Sequence, residues 1–198
     1  MVMNLSKEYL MENSKICLQP RTDNNDIFKV DELDLELYIR VDLEPANGER
    51  CTFKLPVALY SDEILKKAVE NTKNSFQVES LAEILGIDTS DGDFMPIDVV
   101  STKDKMFGSS ALAFPDFFYD YCIKNHVENL FIIPSSIHEL LVIRDDGDLT
   151  ANDIDSMINI VNATVLNPTD VLSDHVYHYG IHEGITWGTK SWFERAFG

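Results

Sequence analysis

No apolar run in this chain approaches the roughly 20 residues that a membrane-spanning helix requires, so a soluble protein is expected. Lys7, Glu8 and Glu12 interrupt the stretch Met1 to Lys15, which excludes a signal peptide there. Cysteine is scarce. Cys17, Cys51 and Cys122 are far apart and form no Cys-x-x-Cys pair, the usage of free thiols in a reducing cytoplasm rather than of a disulfide framework. Basic residues are also few, 16 against 34 acidic, which leaves a formal net charge of -18. No basic patch is interleaved with aromatics, so neither nucleic acid nor an anionic membrane is expected as a direct partner. Gly86, Gly92 and Gly108 stand alone and no Gly-Lys-Ser/Thr triplet occurs, which excludes a phosphate-cradling loop. No cofactor is expected.

What is present suits a single domain over residues 1–198, with 44% apolar residues. A chain of this length buries roughly two-thirds of its unfolded surface and needs no metal or disulfide to fold. Within it, residues 1–50 read as an N-terminal helix, loop and first strand, and residues 185–198 as an aromatic tail. The surplus of carboxylates keeps a protein soluble at some cost in self-repulsion, and it suits a protein partner of basic character.

The sharpest pattern is the alternation of Leu33, Leu35, Leu37, Ile39, Val41 and Leu43 with Asp34, Glu36, Tyr38, Arg40 and Asp42. A period of two predicts a strand with one face on a core and the other in water, which would present Asp34, Glu36 and Asp42 to a partner. Pro45-Ala46-Asn47-Gly48 supplies turn chemistry, and Cys51, Phe53, Leu55 and Val57 alternate in their turn, predicting an antiparallel hairpin. Before it, a short helix is expected over Ser6 to Cys17 and a polar loop over Gln19 to Asp26. After it, Ser61 opens a helix over Ile64 to Asn74 with Ile64, Leu65, Ala68 and Val69 inward. Ser80 and Glu83 have capping-box spacing for a short helix that Gly86 stops, and an acidic loop follows over Asp88 to Asp93.

In the second half, strands are expected over Ile97 to Thr102 and, returning, over Ser110 to Phe114. Pro115 suits the first turn of a helix through about His126, with Phe117, Phe118, Tyr121 and Cys122 inward. Asn129 to Ile133 and Glu139 to Ile143 read as adjacent strands around a Pro-Ser-Ser turn. Asp145-Asp146-Gly147-Asp148 reads as a turn, because the Glu that would close a calcium loop is missing. Thr150 opens a helix with Ile154, Met157, Ile158 and Val161 inward, broken at Asn167-Pro168, and His175 to Tyr179 forms a last strand. Hairpins mixed with helices predict an α+β fold, with helices packed against an antiparallel or mixed sheet.

Three constellations invite a chemical reading. His175, His178 and His182, with Glu183 adjacent, would share one face of a helix at metal-binding spacing, but Val176, Tyr177 and Tyr179 favour a strand, which would separate them. Ser135, Ser136, His138 and Glu139 offer a nucleophile beside a base, the basis of a hydrolase reading. No Gly-x-Ser-x-Gly elbow accompanies them, and bonds to local backbone explain the serines equally well. Trp187, Trp192, Phe193 and Phe197 crowd into the tail, where aromatics either dock onto the parent domain or anchor an interface.

From about Arg50 to Tyr179 the chain resembles an uncharacterised family of bacterial proteins found in gut bacteria and their mobile elements. The residues that carry the likeness are LPVALYSDEILKKAVENTKNSF (Leu55 to Phe76), FGSSA (Phe107 to Ala111), IIPSSIHELL (Ile132 to Leu141) and VLSDHVYHY (Val171 to Tyr179). The resemblance implies a bacterial or phage setting and brings no activity with it. The expected function is a non-enzymatic, acidic interaction protein that binds a protein partner, one version being an anti-defence or nucleic-acid-mimicking inhibitor. The alternatives are a hydrolase using His138 or the C-terminal histidines, and a structural or assembly component.

Overall fold

A computed structural model describes residues 5–22, 28–43, 51–88, 96–147, 149, 153–154, 156–157 and 168–187. The chain forms two antiparallel sheets with helices packed on them, an α+β fold. The first sheet is built on β3 (Leu35–Leu43). Along one side of β3 runs β1 (Ser14–Pro20); on the other, β2 (Phe28–Val30) pairs with its start and β4 (Cys51–Lys54) with its end. The second sheet has the strand order β10-β9-β7-β8-β6-β5, with β5 Phe76–Ser80, β6 Ile97–Thr102, β7 Asn129–Pro134, β8 Leu140–Asp145, β9 Tyr177–Gly180 and β10 Gly184–Trp187. Among the described residues no helix is long and apolar enough to cross a membrane.

The alternation in β3 does specify a strand, and its hairpin with β4 pairs Leu43 with Cys51. The turn residues Pro45 to Gly48 lie outside the described residues. Only half of the burial expectation holds, because both faces of β3 are covered. On the apolar face, Ile39 and Val41 pack with Ile16, Leu55, Ile64 and Ala68 beneath α2 (Asp62–Lys73). Leu35 joins Leu18, Leu33, Val100, Leu130, Leu140, Val142 and Tyr177 in an interior shared by the two sheets. On the opposite face Glu36, Tyr38 and Arg40 are buried as well. Their charges are answered within the protein: Glu36 accepts from Gln19 Nε2 (2.9 Å), Thr22 N–H (3.0 Å) and Thr22 Oγ1 (2.8 Å), and the Arg40 guanidinium stacks on Phe107 at 4.2 Å. Alternation fixes which residues share a face but says nothing about a later segment folding over the polar one.

The N-terminal helix is shorter than its expected span. Ser6 Oγ accepts from Tyr9 N–H and caps α1 (Lys7–Asn13), but Ser14 to Pro20 joins the sheet as β1, because Ile16 and Leu18 gain more by pairing with Ile39 and Leu37 than by extending a ragged stripe. Helix α2 is capped by Ser61 as expected. Its inward residues are Ile64, Ala68 and Thr72, whereas Val69 is 36% exposed. The inward threonine ties helix to sheet: its Oγ1 donates to the Ala68 carbonyl and accepts the Ile16 amide, at 2.6 and 2.7 Å.

Helix α3 (Leu81–Leu85) ends at Gly86 in the left-handed region (φ 65°), but the Ser80 side chain caps no amide, so the capping box has the spacing without the bond. Helix α4 (Pro115–Asn125) buries Phe118, Tyr121 and Cys122. The return strand expected over Ser110 to Phe114 is instead a 3-10 segment, Gly108–Ala113. Of the following expected helix, Ile154 and Met157 are helical, and Ile154 packs on Phe131, Ile133 and Ile143; Thr150, Ile158 and Val161 lie outside the described residues, as does most of the Asp88 to Asp93 loop.

Candidate functional site

Strand β6 and its neighbours position a cleft that gathers several polar side chains. Pairing in register sets Asp98 of β6 between Ser80 of β5 and Val142 of β8. Residues alternate along a strand, so Arg144, two places beyond Val142, stands on the same face. Across them lies α4, which places Phe117, Tyr121 and Asn125 one helical turn apart along the cleft wall. The cleft is open to solvent, with a volume of about 460 Å³, and Lys124, Asp120 and Val78 also line it.

Its polar groups are interlinked. The Tyr121 hydroxyl donates to Asp98 Oδ2 at 2.5 Å, Asn125 Nδ2 donates to the Tyr121 carbonyl at 2.9 Å, and Arg144 Nη2 donates to Asn125 Oδ1 at 3.1 Å. Arg144 Nη2 also lies 3.9 Å from Asp98 Oδ2. Burial, aided by the hydrogen bond to Asp98, pushes the Tyr121 hydroxyl up to about 12. It is therefore a fixed proton donor near neutral pH rather than an acid or base in exchange. Charges of both signs, an amide and aromatic faces give the cleft the means to recognise a partner group. On its outward side α4 turns Asp116, Tyr119 (47% exposed), Asp120 and Ile123 (53% exposed) to solvent.

Ser135, Ser136, His138 and Glu139 are brought together, but as a latch. Ser135 Oγ donates to the Glu139 carbonyl (3.1 Å), and Ser136 Oγ accepts the His138 amide (3.0 Å). The His138 ring faces away from both serines: its Nδ1 accepts the Phe107 amide (3.2 Å), its ring meets Phe107 edge-on, and its carbonyl accepts the Gly108 amide (2.8 Å). Ser109 Oγ completes the latch by donating to the Ile137 carbonyl at 2.6 Å. Glu139 is exposed.

The C-terminal histidines are dispersed. His175 lies 3.6 Å from Asp34 and 3.3 Å from Asp174. His178, on β9, meets Phe131 edge-on and reaches Asp145 at 3.4 Å, and that hydrogen bond holds the Asp145 carboxyl below its ordinary value against the effect of burial. His182 is exposed in the β9–β10 turn, beside Glu183. Among the described residues, no three His, Cys, Asp or Glu side chains are placed to hold a metal ion. The three thiols are free, Cys17 and Cys122 buried and Cys51 exposed.

Of the acidic residues expected at an interface, Glu36 is wholly buried, Asp34 is bound to Arg21 at 2.6 Å, and Asp42 is shared by Arg40 and Lys15. Trp187 ends β10; Trp192, Phe193 and Phe197 lie outside the described residues. The cleft residues escaped sequence reasoning, because Asp98, Tyr121 and Arg144 share no motif and converge only through strand register.

No curated protein and no solved structure matches the chain. One family model does, and it covers residues 57–180, which includes every residue of the α4 cleft and of the latch. That span falls where the FGSSA, IIPSSIHELL and VLSDHVYHY segments carried the resemblance. The chain belongs to the family of unknown function DUF5688.

Proposed function

We propose that this is a cytoplasmic binding protein that recognises a basic protein partner, with α4 and its cleft as the contact surface. The observation that supports this most is the outward face of α4, where Asp116 and Asp120 are exposed together with Tyr119 and Ile123, and Asp120 also lines the cleft. Aromatic and aliphatic anchors set among charges are what a partner's apolar and cationic side chains would meet. Asp120 would meet an inserted lysine or arginine, with Phe117 and Tyr121 as walls for its stem and Asp98, already bonded to Tyr121, behind them. The net charge of -18 adds long-range attraction for such a partner. An inhibitor that imitates nucleic acid, acting in a bacterial or phage setting against a protein that grips DNA or RNA, is the version this charge favours.

The test is capture of partners by the immobilised protein at two salt concentrations, beside the double variant Tyr119→Ser, Asp120→Lys. Between about 0.05 M and about 0.3 M salt the screening length falls from roughly 14 Å to roughly 6 Å, so recovery of a basic partner should drop several-fold. The variant should lose it at both. Recovery indifferent to salt, or equal recovery by the variant, would refute the proposal.

A further inference from the structure

An edge strand leaves a row of backbone donors and acceptors to be covered, and the two sheets treat theirs differently. In the first sheet α2 covers the edge strand β1: the Ile16 amide donates to Thr72 Oγ1 at 2.7 Å, and the Ser14 carbonyl accepts from Asn71 Nδ2 at 2.9 Å. In the second sheet β5 is an edge strand, and the described residues make no such cover. The Ser75 carbonyl accepts the Lys103 amide at 3.0 Å, directly ahead of the register that sets Gln77 against Ser101 and Glu79 against Val99. Bonded pairs alternate along an antiparallel ladder, so Phe76, Val78 and Ser80 direct their backbone groups away from β6. Among the described residues the Val78 N–H and C=O and the Ser80 N–H have no hydrogen-bond partner.

This strand, Phe-Gln-Val-Glu-Ser, carries neither the proline nor the lysine that commonly guards an open edge. Its side chains connect the edge to the α4 cleft. Phe76, Val78 and Ser80 share the face beneath α4: Phe76 meets Phe114 and Phe117 edge-on, and Val78 and Ser80 line the cleft. The cleft floor therefore runs from Arg144 through Asp98 to Ser80 and Val78 and stops where the sheet stops, leaving Val78 42% exposed. A strand laid along β5 would stand about 4.8 Å from it and continue that floor. A residue opposite Val78 would carry its side chain on the same face, towards Phe117 and Asp120 of α4.

Charge selects the occupant. A second copy of this chain would bring another net charge of -18 to the same edge. A lysine or arginine opposite Val78 would instead lay its stem along Val78 and Phe117 and carry its charge to Asp120, with exposed Glu83 nearby on α3, which follows Ser80 directly. Lys124, one helical turn beyond Asp120, also lines the cleft and opposes this attraction in part. We propose, on the basis that α4 is the contact surface, that the basic partner contributes an extended segment that adds to β5 as a further strand. It runs antiparallel, as every neighbour in this sheet does, and its alternate cationic side chains enter the α4 cleft. In recognition of this kind backbone bonds supply affinity and pockets for alternate side chains supply specificity.

The test titrates the full chain at about 0.05 M salt with the peptide acetyl-Thr-Lys-Val-Lys-Val-Lys-Thr-amide, followed by amide chemical shifts. Two further peptides of equal charge are N-methylated, one at the lysines and the other at the valines. With lysines facing the cleft in an antiparallel pairing, the lysine amides bond β5 and the valine amides point away. The unmodified peptide should give saturable shifts at Val78 and Ser80 with a Kd below about 1 mM. Methylation of the valines should change this by less than about threefold, and methylation of the lysines should weaken binding at least about tenfold. Val78→Pro removes an outward amide without taking a bond from the β5–β6 ladder, a place where an edge strand tolerates proline, and should weaken binding by a similar factor. If Val78→Pro fails to fold, the two methylated peptides decide. Equal affinity of the methylated peptides, no saturable shift at Val78 and Ser80, or unchanged binding by Val78→Pro would each overturn the added strand. Asp120→Lys separates this from the α4 reading: binding that Asp120→Lys weakens, yet that is equal for both methylated peptides, would leave the α4 surface in place and overturn the added strand alone.

Discussion

Substituting Gly108 by alanine should unsettle the protein more than the loss of the neighbouring histidine ring. A Cβ built on Gly108 would lie 2.4 Å from Ser101 Cα and 2.7 Å from the His138 carbonyl oxygen. Carbon contacts are ordinarily about 3.5–4.0 Å, so β6 and the β7–β8 loop would have to part by about an ångström. Both obstacles are backbone, with no rotamer to give way. Overpacking of this kind costs about 1–3 kcal/mol. Separation would also stretch the Gly108 N–H bond to the His138 carbonyl, now 2.8 Å, which adds about 1 kcal/mol. The total of about 2–4 kcal/mol corresponds to a Tm lower by roughly 4–16 °C for a chain of this size. His138→Ala removes the ring acceptor of the Phe107 amide and the edge-on contact with the Phe107 ring, and should cost about 1–2 kcal/mol. Thermal melts and urea titrations of both variants measure this. A Gly108→Ala protein melting within about 2 °C of wild type, or one more stable than His138→Ala, would refute the latch reading.

Glu36 gives a pH signature. Burial opposes its ionisation, but hydrogen bonds from the Thr22 amide, Gln19 and the Thr22 hydroxyl together hold its carboxyl below the ordinary value. The stability this contributes is fully present above the unfolded value of about 4.3 and is lost as pH falls through the lower folded value. Acid also relieves repulsion among exposed carboxylates, so the comparison is with Glu36→Gln: the two urea midpoints should stand apart at about pH 7 and converge near pH 3, and a constant gap would contradict the assignment. Thr72→Val keeps the shape of the side chain but deprives the Ile16 amide of its acceptor, at a cost of about 1–3 kcal/mol in urea unfolding; a neutral substitution would show that α2 is not tied to β1 through this hydroxyl.

Most elements were readable where a local pattern has one physical meaning. Period two over Leu33 to Leu43 means strand, Ser61 before an apolar helical stripe means a capped helix, and Pro115 means a first turn. Errors arose where distant chain decides. Ser14 to Leu18 has too ragged a stripe to announce either state, and β3 draws it into the sheet. Ser110 to Phe114 reads as a returning strand because it follows a strand and a turn, yet the chain forms a 3-10 segment over Gly108–Ala113, which opens where the backbones of Ser101 and His138 close on Gly108. The polar face of β3 looked solvated because nothing local signals that Phe107 will lie on Arg40. The same holds for site residues. Clustering in sequence drew attention to Ser135, Ser136 and His138, whose bonds are to nearby backbone, while Asp98, Tyr121 and Arg144 meet only through register across three elements.

The Tyr177 hydroxyl donates to the Leu33 carbonyl at 2.8 Å, joining residues 144 positions apart, and Leu18, Leu33 and Leu35 share their interior with Val100, Leu130 and Tyr177. Kinship visible in sequence begins at residue 57, on the far side of that junction. In any relative, whatever stands ahead of the recognisable stretch must roof the same oily wall, or the wall must itself change.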